Sequence, residues 1–466
     1  AGAREAALSS RARDAALGSR ARDAALGGGG RDAAQGPDLI VDALFGTGLK
    51  RPLTAETDQL LCTAATAPTL RPAPWVHIDL PSGLCADSGR PLGLTAKPET
   101  ALTVSFHRPK RGHYLGEGPT RCGTLVVVDI GLKAAKASIA PNAVTRPPPS
   151  AKDAPARQMG ETEPGPRKGG AEPAPARLLD DAAAPGLAAV LAKHSGQHKY
   201  DHGHALVLAG GPGKGGAARL AARGALRVGA GLVTVACPPG AMVEMASQLN
   251  AIMLAPVDGA VALSTLLGDR RINALCLGPG LGQDDRAAAL VRTALAARRP
   301  TVLDADALTL LANRPETLFA ALHDHVILTP HAGEFARLFP AIAARSAAPP
   351  RTGPAYSKID ATQEAAAMAG CTVLLKGAAT VIATRDGQTA VHAGAYGRAA
   401  PWLATAGSGD VLAGFAAGLL ARGLAPAQAA ETAAWLHVSC ARHFGPGLIA
   451  EDLPEALPAV FKKLGL

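Results

Sequence analysis

Apolar residues along this chain come in short runs that end in Gly- or Asp-rich turns. DLIVDALFGTGL (38–49) reads as a strand leading into a glycine turn. WVHIDLPSGL (75–84), ALTVSFHRPKRG (101–112) and TLVVVDIGL (124–132) repeat that pattern. Strands ending this way predict an α/β unit with ligand contacts at the strand C-termini. HALVLAGG (204–211) opens a second series: a Gly-rich turn, a helical pattern over 217–229 and another strand over 231–238. Strand signals recur at 274–282, 300–308, 325–334, 371–383 and 389–394, and a long helix from Asp410 follows. Strands alternating with helices predict a largely parallel sheet covered on both faces.

Two stretches lack this pattern. Residues 1–36 are a nine-residue tandem repeat; Ser10–Gly18 and Ser19–Gly27 both read SRARDAALG. Each copy offers one Leu at most, so the repeat predicts a disordered or fraying-helical tail. Residues 133–177 carry nine prolines among alternating Lys/Arg and Glu and read as a linker. The expected organisation is a tail over 1–36, a first α/β domain over 37–132, the linker, and a second domain over 178–466.

Composition narrows the function classes. Hydrophobic residues make up 48 % and charged ones 18 %, which suits a large folded core. Aromatics are 3 %, so base-stacking platforms for nucleic acid are not expected. The net charge is +9, but the tail holds six Arg against four acids and the linker eight Lys/Arg against four. The rest is near +3, so the charge predicts no nucleic-acid partner. Seven scattered cysteines without a CxxC fit a reducing, cytoplasmic setting. No apolar run reaches the length of about 18 residues that a membrane span needs, and no signal segment is evident.

Several motifs could carry chemistry. Gly211–Gly216 (GPGKGG) formally matches GxGxxG, but the next strand ends in Ala236-Cys237-Pro238-Pro239 without the acid that a dinucleotide site wants. Thr405–Asp410 (TAGSGD) places small residues before a helix, where backbone N–H groups and the dipole attract an anion. Asp410 could orient or deprotonate a substrate hydroxyl there, or simply cap the helix. Lys376-Gly377-Ala378-Ala379-Thr380 offers a cation, a turn and a hydroxyl to a nucleotide, or forms a plain hairpin turn. Asp304 and Asp306 could serve Mg²⁺ through water or cap a helix. His331 stands at another strand end. His198, His202 and His204 are interrupted by a glycine and a strand onset and predict no metal site.

Together these residues resemble the bifunctional NAD(P)H-hydrate repair family. HKYDHGHALVLAGG, LGPGLG, VLDADAL, LTPHAGEFARL, LLKGAATVIA and AGSGDVLAG stand in the order of its ADP-dependent (S)-NAD(P)H-hydrate dehydratase domain. The resemblance implies a ribokinase-like fold, with Asp410 catalytic. It puts Ala217, Gly280, His331 and Asp410 on the hydrated nicotinamide nucleotide, NAD(P)HX. Lys376, Gly377, Ala378, Ala379, Thr380 and Gly409 fall on ADP or AMP, with Mg²⁺ accompanying ADP or ATP. It also implies a homo-oligomer, a tetramer. The competing reading is a ribokinase-like small-molecule kinase.

Residues 38–132 resemble the later part of the partner NAD(P)H-hydrate epimerase domain, itself Rossmann-like. The resemblance puts Asp42 and Ser82 on K⁺. It puts Gly46, Thr47, Gly48, Leu49, Lys50, Arg51, Pro52 and Asp79 on substrate. The earlier Asn/Gly-rich phosphate loop has no counterpart in the repeat, so a truncated domain without epimerase activity is expected.

Overall fold

The structure, a computed structural model, describes residues 37–66, 73–132, 176–181 and 184–466. The nine-residue repeat and nearly all of the expected linker lie outside the described residues. The chain divides into two compact units, one of Ala1–Ala135 with Pro349–Ser357, the other of Lys136–Ala348 with Lys358–Leu466.

The first unit is built on four parallel strands in the order β1-β2-β3-β4: β1 (Ile40–Asp42), β2 (Trp75–Ile78), β3 (Thr100–Phe106) and β4 (Thr124–Val128). Alternation in WVHI buries Trp75 and His77, as a period of two requires. Leu53, Leu61, Trp75, Leu94 and Ala96 form one small apolar cluster. Cys85, Leu92 and Ala355 form another. Pro349–Ser357 joins this unit, away from its sequence neighbours: Gly353 N donates to Lys50 O (2.9 Å) and Ala355 N to Cys85 Sγ (3.3 Å). β1 is an edge strand among the described residues, and Val41 and Leu44 are 55 % and 52 % exposed.

The second unit carries ten strands: β5 (Arg177–Leu178), β6 (His204–Leu208), β7 (Leu232–Cys237), β8 (Met253–Pro256), β9 (Ile272–Leu277), β10 (Thr301–Leu303), β11 (Val326–Leu328), β12 (Thr372–Leu375), β13 (Ala379–Ala383) and β14 (Thr389–Ala393). Their order is β5-β14-β13-β12-β11-β10-β9-β6-β7-β8. β12 through β8 run parallel, and β13 is antiparallel to both neighbours. The strand signal over 371–383 is two strands folded back on each other at Lys376–Ala378, where the sequence allowed a hairpin turn. The flexible Gly377 (φ +148°) allows that reversal.

Every position of β6, β10, β11 and β12 is buried, as strands covered on both faces should be. With so few aromatics the core closes by backbone proximity. Gly414, in the helix Ser408–Ala421, faces Ala221 of the helix Gly216–Arg227; a Cβ there would stand 2.1 Å from Ala221 O. No helix among the described residues is long and apolar enough to cross a membrane.

Candidate active site

Sheet order explains why residues scattered over two hundred positions meet. β12, β11, β10, β9 and β6 are parallel neighbours, so the loops after their last residues lie side by side. Those loops carry Lys376, His331, Asp304, Gly280 and the Gly-rich turn 211–216. Ligands of open parallel sheets bind at this end of the strands.

Asp304 follows β10 and is 2 % exposed. It starts the helix Ala305–Asn313 but does not cap it with its side chain. Its Oδ1 instead accepts from Lys376 Nζ at 2.7 Å. Glu334 Oε2 lies 3.9 Å from the same ammonium. Gly409 sits against this pair: a Cβ on it would be 3.3 Å from Lys376 Nζ and 3.9 Å from Asp304 Oδ2. Asp410 follows as the third residue of the helix Ser408–Ala421, whose N-cap is Gly407. It is therefore not the N-cap residue that its sequence context allows. Burial, reinforced by the negative Asp304 and only partly offset by Lys376, pushes its carboxyl up to about 6. A carboxylate poised near neutrality at a helix N-terminus is suited to proton transfer.

The other expected positions fall around this centre. Gly280 holds a left-handed turn (φ +64°) beside the helix Gly216–Arg227, its Cβ direction 3.6 Å from Ala217 Cβ. His331 caps the helix Ala332–Leu338: its Nδ1 accepts from Gly333 N at 3.0 Å, and Glu334 Oε2 accepts from His331 N at 2.8 Å. Its imidazole is more than half exposed, and Nε2 lies 3.4 Å from Glu334 Oε1. Lys376 to Ala378 form the turn between β12 and β13, so the hairpin reading of the sequence holds in geometry. Ala379 and Thr380 begin β13. Asp306 does not join the Asp304–Lys376 pair; its oxygens accept from Gly282 N (2.9 Å) and Gln283 Nε2 (2.8 Å) and anchor that loop.

The GPGKGG turn is occupied by protein. Glu244 Oε2 accepts from Gly213 N at 2.7 Å, and Glu244 Oε1 pairs with Arg219 at 3.1 Å. A carboxylate already fills the place that a phosphate takes in a dinucleotide fingerprint.

Three supporting groups escaped the sequence reading. His437 Nε2 donates to Ser408 O (2.8 Å), and burial holds its pKa down at about 4, so a neutral imidazole braces the turn before Asp410. Lys358 Nζ donates to Lys376 O (2.9 Å) and Ala379 O (2.6 Å), beneath the turn between β12 and β13. In the first unit, Lys110 Nζ pairs with Asp79 Oδ1 at 2.7 Å. Lys110 and His113 lie in the stretch that follows β3, where the sequence pattern marks no role for either.

That first unit gathers most of its own expected residues at the ends of β1 and β2. Asp79 adopts positive φ (+70°), a strained conformation for a non-glycine residue. Its Oδ2 accepts from Thr47 N at 3.1 Å and lies 2.7 Å from the Cβ direction of Gly46. Burial opposes ionisation of Asp79, but hydrogen bonds from Lys110 and Thr47 hold its carboxyl below the usual range. Gly48, Lys50, Arg51 and Pro52 are exposed and Leu49 is half-buried in the loop after β1. Asp42 is buried: Oδ1 accepts from Ser82 Oγ (2.6 Å) and Leu44 N (3.3 Å), and Oδ2 from Ser82 N and His77 Nδ1 (both 2.8 Å). These four donors fill the four lone-pair directions of the carboxylate. Ser82 Oγ also accepts from Phe45 N at 2.9 Å. Asp42 and Ser82 therefore meet, at the end of β1 where the resemblance puts K⁺.

A family model described as NAD(P)H-hydrate dehydratase matches residues 205–457. One described as YjeF-related protein N-terminus matches residues 11–112, beginning inside the repeat. The bifunctional NAD(P)H-hydrate repair enzyme of Salinibacter ruber is 34 % identical over 439 residues, 91 % of this chain and 72 % of that protein. Its counterpart in Synechocystis is 36 % identical over 407 residues, covering 86 % and 68 %. A solved ribokinase-like superfamily protein from Enterococcus faecalis shares the fold: TM-score 0.52, 24 % identity, 62 % of this chain and 96 % of that one. A chain with both domain matches and this extent of similarity belongs to the bifunctional NAD(P)H-hydrate repair enzyme family.

Proposed function

We propose that the second unit dehydrates (S)-NAD(P)HX in an ADP-dependent reaction that yields NAD(P)H, AMP and phosphate. The observation that carries this reading is Asp410, held near neutrality at a helix N-terminus beside the Asp304–Lys376 pair. Hydrated NAD(P)H carries a hydroxyl on a saturated ring carbon, and hydroxide leaves poorly. Asp410 accepts the hydroxyl proton as that oxygen bonds to the β-phosphorus of ADP and the bridging bond to AMP breaks. The ring-nitrogen lone pair then expels phosphate, and loss of a proton from the adjacent ring carbon to water or phosphate restores the dihydronicotinamide. Lys376 and the amides around Gly409 offset charge on the transferred group, and most of the rate gain comes from positioning and charge stabilisation.

Mg²⁺ fits this centre as a partner of the phosphates. Among the described residues no three-ligand protein cage exists, and Mg²⁺ commonly relies on one or two carboxylates with phosphate and water. Asp304 and Glu334 are the carboxylates able to hold it. When bound, it neutralises phosphoryl oxygens.

Ala217, Gly280 and His331 line the NAD(P)HX side, and Lys376 to Thr380 with Gly409 the nucleotide side. A homo-oligomer in the cytoplasm is the setting that the family resemblance and the scattered thiols support; light scattering and cell fractionation test it. The activity is tested by supplying (S)-NADHX, ADP and Mg²⁺. Regenerated NADH absorbance with equal AMP and free phosphate is expected. A stable phosphorylated substrate with no NADH would indicate a ribokinase-like kinase.

A further inference from the structure

The turn Lys376–Thr380 owes its path to a residue far from it in sequence. Lys376 N donates to Pro330 O (2.9 Å), and Gly394 N donates to Ala378 O (2.6 Å). The remaining two inward carbonyls, Lys376 O and Ala379 O, both accept from Lys358 Nζ, at 2.9 and 2.6 Å. Gly377 crosses directly over that ammonium: a Cβ there would stand 2.9 Å from Nζ. With the carbonyls of 376, 378 and 379 drawn inward, the amides of Gly377 and Ala378 are left without a protein acceptor among the described residues.

Lys358 is a costly choice for its position. It is the first residue of the helix Lys358–Ala369, where the helix dipole disfavours a cation. Burial alone, with no acid to oppose it, pushes its ammonium down to about 8. A charge kept there against both effects has carbonyls as its compensation, and those carbonyls belong to the nucleotide turn. The Lys376 side chain that reaches Asp304 leaves from the same backbone, so its starting point is fixed by the same bond.

We propose that Lys358 is a positioning residue that sets the affinity for the adenine nucleotide by holding Lys376–Thr380 with its carbonyls inward and its amides outward. This rests on the nucleotide reading of that turn. Lys358 does not touch the reacting atoms; its removal lets the two carbonyls rotate and collapses the amide cradle.

The test uses the full chain and ADP as the probe, with binding followed by calorimetry and turnover by NADH absorbance. K358M should raise the Kd for ADP about tenfold or more, the scale of hydrogen bonds to a charged group. At saturating ADP, kcat should stay within about threefold and the KM for (S)-NADHX should not move. K358R, whose guanidinium can serve both carbonyls, should recover most of the affinity. Thermal melting checks that each variant is folded. Wild type and K358M binding ADP equally would overturn the role of Lys358 and leave the nucleotide turn standing. Wild type failing to bind ADP would overturn both. A fall in kcat together with the KM for both substrates, with no rescue by Arg, would make Lys358 a general structural residue and overturn the proposal.

Discussion

Both units place acids at the C-terminal ends of parallel strands, yet they treat them in opposite ways. In the first unit Asp42 and Asp79 are met by donors at nearly every oxygen, and those bonds hold both carboxyls below their ordinary range in spite of burial. In the second, Asp410 has other acids as neighbours and a shared lysine, and its carboxyl rises to about 6. The first arrangement locks a loop; the second keeps proton affinity in reserve. The surroundings differ as well. β6 is buried at all five positions within a ten-stranded sheet, whereas β1 is a three-residue edge strand beside a small apolar cluster. An acid at a strand end is thus no evidence of catalysis until its compensation is known.

The largest effect should come from D410N. It keeps the size of the side chain and removes the base, so turnover should fall by about 10²–10⁴-fold. The same variant should melt at a higher temperature than wild type at neutral pH. A carboxyl whose folded pKa is raised loses stability as pH rises from its unfolded to its folded value, so the full penalty stands at neutral pH, and Asn removes it. Steady-state kinetics with calorimetric melting checks both signs together.

G414A should cost the second unit about 3 kcal/mol, because its methyl would meet Ala221 O and force two packed helices apart. Denaturant titration reads that loss. D42A should cost the first unit about 2 kcal/mol by leaving His77 and Ser82 donors buried without an acceptor. Hydrogen exchange over residues 75–106 should accelerate while the second unit keeps its protection.

Mild acidification should separate the units by the smallest margin. Asp42 and Asp79 have lowered folded pKa values, so their stabilisation is present above an unfolded pKa near 3.8 and is lost as pH falls through the folded values. Asp410 acts in the other direction: between its unfolded 3.8 and folded 6, stability rises as pH falls. The buried neutral imidazoles oppose Asp410: His392 and His437, held down at about 4, and His113 of the first unit lose stability as pH falls below their unfolded 6.5. Taking the chain from pH 7 to 5 should therefore lower the melting temperature of both units, with Asp410 offsetting part of the loss in the second, so that D410N loses more than wild type over the same step. Below about pH 4 the first unit should weaken further.

Much of this arrangement was legible in the sequence. Strand ends carry the chemistry, so Asp304, His331, Lys376 and the small-residue turn before Asp410 announce themselves within local motifs. The parallel order of β12 through β9 then does the rest, since neighbouring strands bring their loops together. What escaped was long-range and one-sided. Lys358 lies 18 residues from Lys376, His437 lies 29 from Ser408, and Glu244 lies 31 from Gly213. Each is a lone polar residue on or beside a helix, whose partner is backbone and leaves no trace in the sequence pattern. Asp410 shows the converse: its residue type permits a cap, and only the left-handed Gly407 assigns that place to the preceding turn. The antiparallel reversal at Lys376–Ala378 was legible as the hairpin that the Lys-Gly pair allows.

The central claim is that dehydration of (S)-NADHX depends on the second unit's strand-end site and not on the acids of the first. The most direct measurement supplies pure (S)-NADHX, ADP and Mg²⁺ to the full chain as D410N and as D42A, and compares initial rates of NADH formation with wild type. The account predicts that D42A keeps turnover within about twofold while D410N loses at least about 10²-fold. D410N turning over like wild type, or D42A losing turnover while the second unit stays folded, would contradict it.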